Sequence, residues 1–164
     1  MKFITFNKPK KTDLILIIVY VVLTFLLFIN TSLNPNFNYN KIIILGYVIF
    51  SQVSIYSIFY RGFRNGYLVI IWVLIGIFHL FFWYSFQFKP QLHYERGFAG
   101  ISLKYTLLLI GLFQVLRFLN LILFKRKLET VMFGSKSLFD ERKLAWSDWF
   151  SWAIYYTFMI YLWT

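Results

Sequence analysis

Cysteine is absent from this 164-residue chain, which excludes disulfides, thiolate metal sites and thiol nucleophiles. Histidine is nearly absent: His79 and His93 are too few and too isolated to build a zinc or haem cage, so no metal or cofactor is expected. Acid is scarce, with six Asp and Glu against seventeen Lys and Arg, and no acid interrupts the long apolar runs. Proton-coupled carriers commonly rely on an intramembrane acid, so an energised transporter is disfavoured. The three prolines, Pro9, Pro35 and Pro90, fall before or between the apolar runs, where a missing amide hydrogen costs nothing. There is no phosphate-cradling Gly-rich loop, no H-E-x-x-H and no G-x-S-x-G, and with them go the usual signs of a nucleotide site, a zinc protease or a serine hydrolase.

What the chain has instead is hydrocarbon. Sixty percent of the residues are apolar and 14% charged, against roughly half and a quarter in an ordinary soluble domain. A soluble domain of this size has too little interior to hide so much apolar surface. Lipid is the solvent that removes the problem, and an all-α polytopic transmembrane bundle is the expected fold, with residues 1–164 as a single membrane domain. The net charge of +11 then reads as a basic rim facing anionic lipid headgroups rather than as a nucleic-acid surface, because the aromatics lie inside the apolar runs.

Four stretches are long enough, at about 17–25 residues, to cross a hydrocarbon core of about 30 Å: residues 14–30, 42–60, 67–86 and 105–124. Lys and Arg set the orientation. Placing the N-terminus in the cytoplasm puts Lys2, Lys8, Lys10, Lys11, Arg61, Arg64, Lys125, Arg126, Lys127, Lys136, Arg142 and Lys143 inside. It leaves Lys41, Lys89 and Arg96 outside, with Lys104 and Arg117 in or beside the fourth run. The bacterial inner membrane is the expected location. The first run exceeds the 7–15 residues of a signal-peptide core and no small-x-small site follows it, so a retained helix is expected.

The C-terminal forty residues admit two readings. Gly134 suits a left-handed stop to a cytoplasmic extension of the fourth helix. Ser137 with Asp140 resembles a capping box that opens an amphipathic helix from Leu138 to Ser151, continuing apolar to Trp163. Residues 149–164 rise only about 24 Å, so they form either a short fifth span, the favoured reading, or an interfacial helix rich in Trp and Tyr. Residues 125–144 are then a cytoplasmic linker.

A few polar residues are costly to hold in lipid. Arg117 lies eight residues before Lys125, about 12 Å deep along the helix, and needs roughly 2–3 kcal/mol of compensation. Its side chain leans towards the helix N-terminus, away from the nearer interface, which makes snorkelling awkward. Gln114 and Asn120 extend its polar face, with Gln52 of the second run placed to reach it, and Asp148 and Asp13 as the candidate charge partners. An interhelical clamp is the preferred meaning and a pore lining the sharper one. Gly46, Ser54 and Ser57 read as a helix–helix seam, and His79, spaced with Trp72, Gly76 and Trp83, as a hydrogen-bonded packing residue. Outside, His93, Glu95 and Arg96 cluster in HYERGFAG and could hold an anion or act as acid and base. Lys104 has Glu95 within reach as an ordinary interface pair.

The leading expectation is a non-enzymatic subunit that packs against copies of itself or a larger membrane partner. The alternative is a homo-oligomeric channel lined by Gln114, Arg117 and Asn120, whose cationic ring would select anions. A lipid-modifying enzyme using the external loop is a third and weaker possibility.

Overall fold

Unbroken runs of Leu, Ile, Val and Phe without internal proline keep every backbone hydrogen bond inside one segment, the condition for a helix in an apolar solvent. The computed structural model describes residues 3–34, 39–95, 97–129, 131 and 143–163, and most of them are helical, joined by short irregular segments and one small hairpin. Five α-helices follow in order: α1 Lys11–Leu33, α2 Asn40–Ser57, α3 Gly66–Phe86, α4 Thr106–Phe124 and α5 Trp146–Trp163. Three helical segments are long and apolar enough to cross a membrane, namely α1, α3, and α4 with the 3₁₀ turn Ile101–Tyr105 that leads into it. Helix α2 carries Asn40, Lys41, Gln52 and five hydroxyl side chains besides its aliphatic residues, and α5 is built largely of aromatics; neither meets the same test.

Each helix buries one stripe and leaves the rest outward. In α1 the buried residues are Ile17, Tyr20, Thr24, Leu27 and Thr31, a spacing of three and four, while Ile18, Val22, Leu26 and Ile29 are exposed. In α5 the buried set is Ser147, Asp148, Ser151, Tyr155 and Met159, the face turned to α4 and α2. The larger core joins Tyr20, Tyr56, Phe59, Phe63, Trp72, Phe113 and Tyr155. The smaller one gathers at the end of the bundle where α3 finishes.

That second core takes in the segment after the third run, of which the sequence showed only an external polar cluster. Residues 87–105 fold back onto the bundle through a 3₁₀ turn at Pro90–Leu92, a two-residue antiparallel hairpin pairing β1 His93–Tyr94 with β2 Gly97–Phe98, and the turn Ile101–Tyr105. Leu92, Phe98, Ala99 and Leu103 are buried there against Leu27, Ile44, Val48, Phe82 and Phe86. Burial of these apolar side chains offsets the cost of ordering the loop.

Helix ends also differ from expectation. Helix α4 stops at Phe124, because Lys125 adopts the left-handed conformation at φ 51°, a non-glycine residue in a helix-terminating geometry. Gly134, Ser137 and Asp140, the anticipated stop and capping box, lie outside the described residues. Residues 143–145 are not helical, so α5 starts at Trp146 rather than continuing an earlier helix. Its start is fixed by Asp148, whose carboxylate accepts from the amide of Ala145 at 2.8 Å and from that of Glu129 at 3.1 Å. A third-position acid reaching back to the preceding amide is one half of a capping box. Gly46, expected in a seam with Ser54 and Ser57, is on the outer face of α2, where an added Cβ would meet nothing within 4 Å.

Candidate functional site: a buried hydroxyl layer and a cationic cavity

Two polar layers lie inside the bundle. The first is halfway along it. His79 of α3 is fully buried, with Nδ1 2.9 Å from the Thr106 hydroxyl and Nε2 2.7 Å from that of Tyr47. The Thr106 hydroxyl donates to the Leu103 carbonyl at 2.9 Å, so its lone pair accepts the Nδ1 proton, and Nε2 accepts from Tyr47. Around it, Tyr20 donates to Ser51 at 2.8 Å, Ser51 to the Tyr47 carbonyl at 2.7 Å, and Tyr47 lies 2.6 Å from Thr24. Four helices contribute, and the aromatic rings of Tyr20 and Tyr47 stack at 6.0 Å. His79 is thus buried and hydrogen-bonded through both ring nitrogens. Tyr20, Thr24 and Thr106 were not singled out from sequence, although hydroxyls within apolar runs were the available signal.

The second layer is at the end where α1 begins and α4 finishes. Arg117 is 7% exposed. Its Nη1 donates to the Phe63 carbonyl and, at 2.6 Å, to Gln114 Oε1; its Nη2 donates to the Phe3 carbonyl at 3.0 Å. The guanidinium also lies 4.8 Å from the centroid of the Phe3 ring, a cation–π contact. Neither Asp148 nor Asp13 is among its partners, which corrects the expected charge pairing. The physical reason is local supply: Asp148 is engaged at the start of α5, and Asp13 stands in the first turn of α1. Carbonyls from two chain segments and the Gln114 side chain engage three of its five N–H donors instead.

The strap that supplies one of them is held by backbone. The Thr5 amide donates to the Arg64 carbonyl at 3.0 Å and the Gly66 amide to the Thr5 carbonyl at 2.9 Å, while Asn65 Nδ2 donates to the Asn7 carbonyl at 2.6 Å. Asn65 also caps α3, accepting from the Tyr67 amide at 3.0 Å. The Phe6 ring covers Gly66 so closely that a Cβ there would fall 2.3 Å from it. Beside Arg117, Arg64 Nη2 pairs with Glu129 Oε1 at 2.8 Å and donates to the Leu128 carbonyl at 3.0 Å. Phe3, Thr5, Arg64, Arg117, Leu121 and Lys127 surround a cavity of about 220 Å³.

The remaining expected site residues are dispersed. Asn120 shares the Arg117 stripe, but its amide donates to Ser151 of α5 at 2.5 Å and to the Leu116 carbonyl at 3.0 Å. Gln52 does not reach that stripe. It donates to the Ser102 carbonyl at 2.6 Å and accepts from the Trp163 indole, while its own carbonyl accepts from Tyr155 at 2.9 Å. His93 Nε2 contacts the Gln87 carbonyl at 2.6 Å, at the C-terminal end of α3. Glu95 is exposed, no hydrogen bond or ion pair joins it to His93 among the described residues, and Arg96 lies outside them. Lys104 rests over the rings of Tyr105 and Trp83, at 4.8 and 5.7 Å, rather than beside Glu95.

Comparison of the chain with protein-family models, with curated proteins and with solved structures finds no match.

Proposed function

We propose that this is a five-span protein of the bacterial inner membrane, with its N-terminus and residues 125–144 in the cytoplasm, acting as a non-enzymatic subunit packed against a second copy or another membrane protein. The observation that carries this reading is the outer face of α5. There Ala153, Ile154, Thr157, Phe158 and Tyr161 line an open apolar groove of about 440 Å³. In lipid no hydrophobic force drives helices together, and small residues such as Ala153 and Thr157, one turn apart, let a neighbouring backbone approach closely. Support for α5 as a span comes from its packing along α4 and α2 down to Gln52, which an interfacial helix lying flat would not make.

The chain's lack of cysteine makes the test clean. Ala153→Cys and Thr157→Cys, oxidised in native membranes, are expected to give a disulfide-linked dimer or a linked heterologous partner. The mass of the detergent-solubilised particle should exceed one chain and fall to one chain in Ala153→Phe. A single-chain mass in the wild type, with neither cysteine crosslinking, would remove the proposal.

The second reading, an anion-conducting homo-oligomer, draws on the cations gathered around Arg117. Against it stands the engagement of Gln114, Arg117 and Asn120 by Phe3, Phe63 and Ser151 of their own chain. Chloride flux in liposomes that disappears in Arg117→Ala would favour the pore; no flux, or unchanged flux, would dismiss it.

A further inference from the structure

The cavity beside Arg117 has the chemistry of an anion site. Arg117 carries five N–H donors, and the structure uses three of them, all on neutral acceptors: two carbonyls and the Gln114 amide oxygen. Its charge is thus held in the bundle without a carboxylate against it. Arg64 and Lys127 face the same space. Glu129 lies against Arg64, and Asp148 sits one layer further in, accepting from the Glu129 amide. Among the described residues Arg117 therefore has no acid in contact with it, whereas Arg64 is paired with Glu129. The space of about 220 Å³ is many times the roughly 10–15 Å³ that admits one water, so a tetrahedral oxyanion fits.

We propose that this cavity binds the phosphate of an anionic phospholipid headgroup. Guanidinium donors form short, charge-assisted hydrogen bonds to phosphate oxygens, and two arginines with a lysine are a recurrent combination for holding that group. Apart from Thr5, the cavity's other walls, Phe3, Leu121 and Leu128, are apolar, and exposed Phe118 and Ile122 continue the surface along α4, where acyl chains would lie. A soluble phosphate would use the same cations but not those apolar walls. The inference shares with the functional reading only the membrane setting of the bundle, and does not depend on a partner at α5.

The test uses the full chain purified in a neutral detergent. Phosphatidylglycerol added to the micelles is expected to raise the unfolding midpoint by roughly 3 °C or more above an equal amount of phosphatidylcholine. Native mass spectrometry should show one retained phosphatidylglycerol per chain. Arg117→Gln should abolish both effects. Lys127→Gln, a change at an exposed residue just beyond α4, keeps the test decisive if the Arg117 variant fails to fold, and should weaken both. Lys104→Gln, at the opposite end of α4, should leave them unchanged. A rise of the same size with inorganic phosphate alone would keep the anion site and assign it to a soluble ligand. Equal responses to the two lipids, or a phosphatidylglycerol effect that survives both Arg117→Gln and Lys127→Gln, would overturn the proposal.

Discussion

The two buried polar layers are matched in different ways. The middle layer is neutral and closed: Tyr20, Thr24, Tyr47, Ser51, His79 and Thr106 come from four helices and meet one another or a main-chain carbonyl. The end layer is charged and borders a cavity, with Arg117 held by carbonyls of Phe3 and Phe63 that no acid accompanies. In a low-dielectric interior a closed network of this kind fixes helix packing, whereas a charge beside open space invites a ligand. On the readings proposed above the first layer is a clamp and the second a socket, and they should respond differently to substitution.

The largest effect is expected at the socket. Arg117→Met removes three hydrogen bonds at once and releases the Phe3–Asn7 strap, so the chain should lose about 2–4 kcal/mol of unfolding free energy in neutral detergent. Hydrogen exchange at the Thr5 amide, which bonds to Arg64, should accelerate. A loss smaller than that of any middle-layer variant would reverse the ordering proposed here. His79→Leu comes next. It leaves the Thr106 and Tyr47 hydroxyls without their shared partner and should cost about 1–2 kcal/mol, given that interhelical hydrogen bonds in membranes contribute about 0.6 each and seldom more than 1.7. Its cost should be the same in phosphatidylcholine and phosphatidylglycerol, because no cation of the end layer touches it. Tyr47→Phe is milder. His79 Nε2 keeps only the Tyr20 hydroxyl, at 3.4 Å, and a loss of about 0.5–1 kcal/mol is expected by equilibrium unfolding.

How much of this was readable beforehand depends on the kind of signal. Three of the apolar runs were legible because length and composition alone make α1, α3 and α4 capable of crossing a membrane. The middle layer was partly legible. His79 stood out, and Tyr47 and Ser51 are a turn apart in α2, yet the Tyr20 contribution depends on how α1 leans. The end layer showed only its cation. A guanidinium in an apolar helix prompts a search for acids, but the partners are main-chain carbonyls, which every residue has and no sequence position advertises. The fold-back of residues 87–105 was hidden for a related reason: Leu92, Phe98, Ala99 and Leu103 follow no period, and only the shape of the bundle's end gives them a place to bury. Lys125 in a left-handed conformation, where Gly134 looked the better helix stop, shows tertiary context overriding backbone preference.

The smallest effect isolates the strap from the rest of the bundle. At Gly66 an added Cβ would lie 2.3 Å from the Phe6 ring, so Gly66→Ala forces that ring aside. The ring belongs to a side chain that is already 63% exposed and can swing outward at little cost, unlike a neighbour in a packed core. The bonds of Thr5 to Arg64 and Gly66 are main-chain and can persist. Global unfolding should therefore change by only about 0.5 kcal/mol, within the range of surface substitutions. Exchange at Thr5 and Gly66 should nevertheless quicken, since losing the Phe6 cover opens the strap locally without unfolding the helices. Amides around His79 should keep their wild-type rates. If Gly66→Ala instead lowered stability as far as His79→Leu does, strap and clamp would be one cooperative unit, and the division between a closed layer and an open one would fail.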